Sequence, residues 1–430
     1  MGLPRLFALA APLVWTAVSP AYAGAAPSDE PITYKVKSGD TLFGLADRYM
    51  VSRDRYKIVQ QQNKIRDPHA VPVGTVISIP RNLLKFKPAA AKIISVRGQV
   101  NTGAVAANVG QSVSEGIVIS TGPSSFATMQ LADGSRISLP SNSDVRIRRM
   151  RNYVLGGSLD YDFDILKGGT RSTVSKKKSQ DDRFRMRTPK AVSAVRGTDF
   201  QSRIDPVTKR DFAEVVEGAL AVDIGTGNLL PLPAEMGLAV TEDGQKLTET
   251  MLPPPVLPGA GKTQAEKIVS FAAEASTPTR FTIASDSSFI EQVADIVATD
   301  GKANISDLPN GNYFVRGRAI SGNGIQGLPV TYAFKRRLNG VSATAGKGDE
   351  GYVFRWSAEG EGKKNFHFQL FRTAADTVPM IDEAGLAGDR VTISDLSVGK
   401  YLWRVAVVQY LDGEVAINWT PLETLTVSGD

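Results

Sequence analysis

Ala127-Thr-Met-Gln-Leu-Ala-Asp-Gly-Ser-Arg-Ile-Ser-Leu139 decides the fold of the middle of this chain. Ala127, Met129 and Leu131 alternate with other residues, and so do Ile137 and Leu139, which is the period of half-buried strands. Ala132-Asp133-Gly134 lies between the two runs. A two-residue Asp-Gly loop would set Leu131 against Arg136 and put the apolar sets on opposite faces. A three-residue loop with Gly134 at positive φ instead pairs Met129 with Ile137 and Ala127 with Leu139, giving one apolar face. The three-residue loop is therefore predicted. Outward from this hairpin, the text from Lys92 to about Asp243 consists of short alternating runs broken by Gly and Asp, a β-rich unit over 92–243.

The whole chain has 430 residues, of which 42% are hydrophobic and 22% charged, with 40 Gly and 24 Pro. At roughly 150 residues per domain this length implies about three folding units, rich in strands and turns. There is no Cys, so disulfides, thiolate metal sites and cysteine nucleophiles are excluded. His69 and His367 are too far apart in the sequence to suggest a multi-histidine metal centre, and no cofactor or metal is expected.

Residues 1–260 hold 33 Lys and Arg against 24 Asp and Glu, whereas residues 261–430 hold 17 against 20. The first half therefore attracts anions, and nucleic acid is the usual first reading. The N-terminus argues against it. Arg5, the apolar run Leu6 to Val18 and Ala21-Tyr22-Ala23 before Gly24 have the layout of a cleavable secretory signal over 1–23. No later apolar run approaches the ~18 residues of a membrane span. The mature chain is expected to be periplasmic or secreted, with no transmembrane anchor and no nucleic-acid partner.

Residues 31–80 form a compact charged segment. Ile32, Tyr34 and Val36 alternate as a strand; Asp40 is placed to cap a helix carrying Leu42, Leu45, Ala46 and Tyr49; Ser52 is placed to cap a second helix with Tyr56 and Val59, ending near Asn63; Val76 to Ile79 is a second strand. The predicted order is β-α-α-β. Arg81 to Ala91 reads as a spacer. Near the other end, Leu252-Pro-Pro-Pro-Val-Leu-Pro258 leads into Gly-Ala-Gly, and 252–261 reads as an extended linker. Beyond it Ile305-Ser-Asp-Leu308 recurs as Ile393-Ser-Asp-Leu396, and in the same register Gly311, Tyr313 and Arg316 recur as Gly399, Tyr401 and Arg404. Two homologous units over 262–340 and 341–430 follow from this repeat.

Tyr34-Lys-Val-Lys-Ser-Gly-Asp-Thr-Leu42, Gln62-Asn-Lys-Ile65, Asp67-Pro68 and Val76-Ile-Ser-Ile-Pro80 closely resemble the LysM module. One departure is Pro72-Val73-Gly74, where LysM modules usually carry Pro-Gly. The resemblance implies binding of N-acetylglucosamine-containing glycan, as in peptidoglycan, between the first strand–helix loop and the loop into the last strand. It nominates Gly39, Asp40, Thr41 and Leu42 on one side and Asn63, Ile65 and Pro68 on the other. Backbone amides at a Gly turn suit acetamido oxygens, and Leu42 and Ile65 would offer apolar surface to N-acetyl methyls. Helix capping for Asp40 and Thr41, and a core position for Leu42, are the competing structural roles.

The central unit resembles the FecR-type periplasmic domain in Thr121-Gly-Pro-Ser-Ser125, Leu131-Ala-Asp-Gly-Ser135, Thr188-Pro-Lys-Ala191, Val195-Arg-Gly-Thr-Asp-Phe200 and Val216-Glu-Gly218. FecR relays a signal to a sigma factor through a cytoplasmic segment and a membrane helix. The sequence shows neither, so that role is not carried over. Arg196 is open to two readings, a turn-fixing hydrogen-bond donor or a ligand contact. Lys176-Lys-Lys178 with Arg183, Arg185 and Arg187 reads as a basic cluster on a solvated loop.

The repeat units, each ending in a Gly and an aromatic-rich strand, resemble fibronectin type III-like sandwiches, in which Tyr313, Tyr401 and Trp403 would be core or corner residues. The predicted fold is multidomain and mainly β. The predicted function is that of an exported, non-enzymatic peptidoglycan-binding envelope protein, with the other modules as scaffold or docking surfaces for an envelope protein. The alternative is a periplasmic sensor or accessory protein of a transport or secretion system; a cell-wall hydrolase using paired carboxylates ranks below both.

Overall fold

The computed structural model describes residues 31–176, 179–274 and 276–428. The secretory signal expected over 1–23, and Lys177 and Lys178 of the expected basic cluster, lie outside these residues.

The first unit has the predicted order. Strand Ile32–Lys35 pairs antiparallel with Val76–Ile79, and helices Leu42–Tyr49 and Tyr56–Gln62 lie between them in sequence, the second entered through a 3-10 turn at Arg53–Arg55. Leu42, Leu45 and Ala46 recur at i, i+3 and i+4 and are buried with Ile32, Val59 and Ile77. The unit does not end at Pro80. Arg81–Leu83 forms a further 3-10 turn, Leu83 and Leu84 are buried, and Phe86–Pro88 adds a strand to the edge of the next unit by pairing with Arg151–Tyr153. The expected spacer is thus a structured joint. Tyr153 and Leu155 of the central unit complete the core of the first.

The central unit is two sheets face to face. One has nine strands, running from Lys246–Thr250 at one edge through Met236–Val240, Asp211–Glu217, Asp199–Ile204, Gly169–Thr173 and the central hairpin to Ala91–Arg97 and Ser112–Val113. The other includes Val118–Thr121, Asp144–Tyr153, Leu159–Lys167, Arg183–Arg187, Val192–Val195 and Ala219–Asp223. Met129, Ile137, Phe200 and Val215 from the first sheet meet Ile147, Phe163, Met186 and Val222 from the second in one core. The hairpin has the predicted register: Met129 faces Ile137, Ala127 faces Leu139, and Gly134 has φ +88°.

Two sandwich modules follow. In the first, Val269–Ala272 pairs with Lys302–Ile305, and a four-stranded sheet runs Gln292–Ala298, Thr279–Ala284, Gly311–Ala319, Val330–Arg336. In the second, Val341–Gly348, Gly351–Ala358 and Arg390–Ile393 form one sheet, and Lys363–Phe371 and Gly399–Leu411 lie at the centre of the other. The repeat has a structural meaning. The hydroxyl of Tyr313 donates to the carbonyl of Pro309 at 3.1 Å, and that of Tyr401 to the carbonyl of Ser397 at 2.8 Å, the same corner in each module. Tyr313, Tyr401 and Trp403 are all buried.

The segment 252–261 differs from a free linker. Its prolines keep it extended, as expected, but Leu257 and Ala260 are buried in the core of the first sandwich. The Leu252 carbonyl accepts from the Leu328 amide at 2.8 Å, and Val256 bridges to Glu274. Leu257 docks while Pro253, Pro254 and Pro258 stay exposed, and Pro255 can be covered because proline has no N–H that would need an acceptor.

Candidate functional site

The loop before the first helix and the loop after the second lie side by side, because the Leu42 amide donates to the Pro68 carbonyl at 2.9 Å. Gly39 is exposed at φ +82°; a Cβ there would meet nothing, so the left-handed turn rather than space calls for glycine. Thr41, not Asp40, caps the helix: Thr41 is extended, and its Oγ1 accepts from the Gly44 amide at 3.0 Å. Asp40 instead ties the loop together. It accepts from the Tyr34 hydroxyl at 2.7 Å and the Lys37 amide at 2.9 Å and forms an ion pair with Arg48. Burial works against ionisation of Asp40, but these donors outweigh it and hold the carboxyl below the ordinary aspartate value. Burial and the Asp40 hydrogen bond push Tyr34 up to about 12.

Because the folded pKa of Asp40 is depressed, its stabilising contribution is fully present above the unfolded value and is lost as pH falls through the folded one. In an NMR titration the Lys37 amide is expected to report a midpoint below the ordinary aspartate value. A midpoint at or above that value would show that the clamp does not favour the carboxylate.

Two of the nominated groove residues do other work. The Leu42 side chain is fully buried, so it offers no apolar surface to a ligand; it belongs to the helix face that makes the core. The Asn63 amide is committed. Its Nδ2 donates to the Val59 and Ser78 carbonyls, each at 2.8 Å, and its Oδ1 accepts from the Ser78 amide at 2.7 Å, which ties the end of the second helix to the last strand. Gly39, Asp40 and Thr41 remain on one loop, with half-buried Ile65 and Pro68 on the other.

The nomination missed Phe43. Its half-buried ring stacks on His69 with centroids 4.5 Å apart and meets Tyr56 at 4.2 Å, forming an aromatic shelf beside the two loops. The available signal was an aromatic residue lying off the Leu42, Leu45, Ala46 stripe.

The motif glycines of the central unit have a steric reason. Gly218 has φ +87°, and a Cβ on it would lie 2.7 Å from the Gly197 carbonyl oxygen. Thr198 is buried beside them and donates to the Ala219 carbonyl at 2.9 Å. Thr188 closes the turn to Ala191 through an amide-to-carbonyl bond of 2.9 Å, and the Lys190 amide donates to Asp211 at 2.8 Å. Arg196 is exposed, so no buried guanidinium fixes this turn.

The expected solvated cluster is corrected for its arginines. Arg183 and Arg185 are buried, on a strand parallel to Leu159–Lys167 in which Asp160, Asp162 and Asp164 stand opposite Arg183, Arg185 and Arg187. The strand on the other side sets Arg151, Arg149 and Arg146 against the same three aspartates.

The two loops are clamped across a β-α-α-β unit, the order predicted for this module. Residues 34–80 match the LysM domain and residues 117–221 match FecR protein. LysM and FecR are binding and signalling domain types rather than catalytic ones, typical of extracytoplasmic proteins. No curated protein matches the chain. Among solved structures, a putative anti-sigma factor from Parabacteroides distasonis is 18% identical, with 31% of this chain and 59% of that chain covered and a TM-score of 0.27. This chain therefore spans 59% of that relative's length. The FN1-FN3 domains of chicken CNTN1 are 10% identical over 56% of this chain and 95% of theirs, with a TM-score of 0.20. The fibronectin(III)-like modules of Clostridium thermocellum CbhA are 17% identical over 40% and 90%, with a TM-score of 0.17. Among the described residues no helix is long and apolar enough to cross a membrane.

Proposed function

We propose that this protein is an exported, non-enzymatic anchor that binds N-acetylglucosamine-containing glycan of peptidoglycan through its LysM domain and presents the FecR-type and fibronectin type III-like modules to an envelope protein. The observation that carries the reading is the pair of loops joined by the Leu42–Pro68 hydrogen bond. The central unit docks elsewhere, through Arg81, Lys85 and the strand Phe86–Pro88. An excess of basic residues over 31–90, 11 against 4 acidic, suits an anionic wall polymer.

Co-sedimentation of the full chain with purified peptidoglycan tests this. The whole chain is required, because Tyr153 and Leu155 complete the LysM core. Binding is expected to persist at ~1 M salt, where the Debye length is only about 3 Å, and to be displaced by soluble N-acetylglucosamine oligomers. Ile65→Arg should weaken it at least roughly tenfold, or about 1.4 kcal/mol. Pelleting that salt abolishes and the oligomers leave untouched would mean charge alone, and the anchor reading would fail.

The FecR match favours a second reading, a periplasmic sensor or accessory protein. Constitutive fractionation with the wall supports the anchor; recovery with a membrane or secretion complex and not with the wall supports the sensor.

A further inference from the structure

The joint between the FecR-type unit and the first sandwich is built from two polar sheet faces. On the sandwich side Arg280 stands directly across from Arg318, and Thr282 across from Arg316. On the facing sheet Ser138, Arg171, Gln201 and Glu214 form one row across four strands. The faces are fastened at their margins: Thr128 donates to the Ile290 carbonyl at 2.9 Å, the Gln326 amide donates to Glu214 at 3.1 Å, and Arg203 reaches the Gly324 carbonyl.

Charge within this joint does not balance. Arg171 pairs with Asp199 at 3.0 Å, Arg203 with Glu214 at 2.8 Å, and Arg280 with Asp295. Arg316 lies over the Phe289 ring at 3.6 Å. Arg318 is 4% exposed, and no carboxylate among the described residues pairs with it; its Nη1 has only the Gly327 carbonyl at 3.4 Å. Burial, with repulsion from Arg171, pushes its pKa down to about 9, and Glu214 and Asp199 offset this only in part. Two arginines directly opposite each other on neighbouring strands repel. A buried guanidinium without a carboxylate partner is costly, so a complementary anion would be strongly favoured there.

The space fits such a group. Arg171, Arg280, Arg316 and Arg318 line an inner recess of about 30 Å³, which admits a few atoms; the one carboxylate on its wall, Asp295, is engaged by Arg280. Through Pro140, Gln201, Arg280 and Gln326 it shares walls with an outer cleft of about 440 Å³, also bordered by Pro206, Pro278 and Ile320. Guanidiniums converge from both sheets, as tetrahedral oxygens require, and two surplus positive charges match a dianion. We propose that this interdomain joint binds a small phosphate monoester, its phosphate among Arg171, Arg280, Arg316 and Arg318 and its organic body in the outer cleft.

Thermal unfolding of the full chain, titrated with glycerol 3-phosphate, inorganic phosphate and acetate at constant ionic strength, tests the proposal. Glycerol 3-phosphate is expected to raise the melting temperature saturably, inorganic phosphate to do so more weakly, and acetate and sodium chloride not at all. Arg318→Gln should weaken the phosphate response at least about tenfold, given the strength of charge-assisted hydrogen bonds. If that variant does not fold, Arg316→Gln, which is half-buried, should still weaken the response. A response equal to that of sodium chloride would overturn the site, as would one that Arg316→Gln and Arg318→Gln leave unchanged. A response to acetate but not to phosphate would overturn the phosphate assignment.

Discussion

Asp160→Ala is expected to destabilise the central unit by about 3–5 kcal/mol, the range for breaking a buried ion pair by removing one partner. Asp160 is fully buried, and its carboxylate lies 3.4 Å from both Arg149 and Arg185. Arg185 also pairs with Asp162 at 3.0 Å, and Arg187 meets Asp162 at 2.7 Å. Along the same strand Tyr161, Phe163 and Ile165 turn the other way into the core between the sheets. The strand therefore has one apolar face and one face of aspartates flanked by arginines on both neighbours. Removing the Asp160 carboxylate takes one of the two aspartates away from buried Arg185 and its ion-pair partner from Arg149, with burial already pushing Arg185 down to about 10. Chemical denaturation of the full chain followed by circular dichroism would read the loss. The double variant Asp162→Leu/Arg185→Leu should cost less than Asp162→Ala alone, because replacing a pair apolarly removes both desolvated charges. A single Asp160→Ala loss below about 1 kcal/mol would place the ladder in the class of exposed ion pairs.

This ladder shows where the sequence could be read and where it could not. The hairpin at 127–139 was legible because only one loop length leaves a single apolar face. The ladder had a comparable signal, since Asp160-Tyr-Asp-Phe-Asp164 and Arg183-Phe-Arg-Met-Arg187 both alternate charged with apolar residues. Counting charge without period turned the second run into a solvated loop. The parallel partnership itself is non-local, and nothing in either run specifies it.

The candidate glycan site was legible to a similar degree. Spacing placed both loops, but it could not tell whether Leu42 points into the core or outward, since one helical position separates it from Phe43. Nor could it show that Asn63 spends all three of its hydrogen bonds on Val59 and Ser78. The interdomain arginines were invisible for another reason. Arg171, Arg203, Arg280 and Arg318 belong to two units, and no pattern in the residues of either brings them together.

Ile325→Ala should cost about 2–5 kcal/mol, as for a large-to-small change in a core, and should do so by loosening the joint between the FecR-type unit and the first sandwich. Ile325 is 1% exposed and packs with Phe212, Ala239 and Met251 of the preceding unit. The fit is close: a Cβ on Gly237 would lie 2.2 Å from an Ile325 methyl, so glycine there makes room for the isoleucine. Asn323 adds a hydrogen bond to Glu249 at 2.7 Å, and Arg210 donates to the Asn323 carbonyl at 3.1 Å. This loop is therefore the key that locks the two units. The prolines of 252–261 suggest a protease-sensitive tether, yet Leu257 and Ala260 are docked in the sandwich core and Met251 in the joint. Limited proteolysis of the native chain should spare this segment, because cleavage requires local opening and the segment's buried side chains oppose it. In Ile325→Ala the same segment should become a cleavage site under identical conditions, with the central unit and the sandwich pair melting as separate transitions. Rapid cleavage at 252–261 in the unmodified chain would show instead that the two units are joined only by the tether, and that the polar faces behind Ile325 do not stay closed.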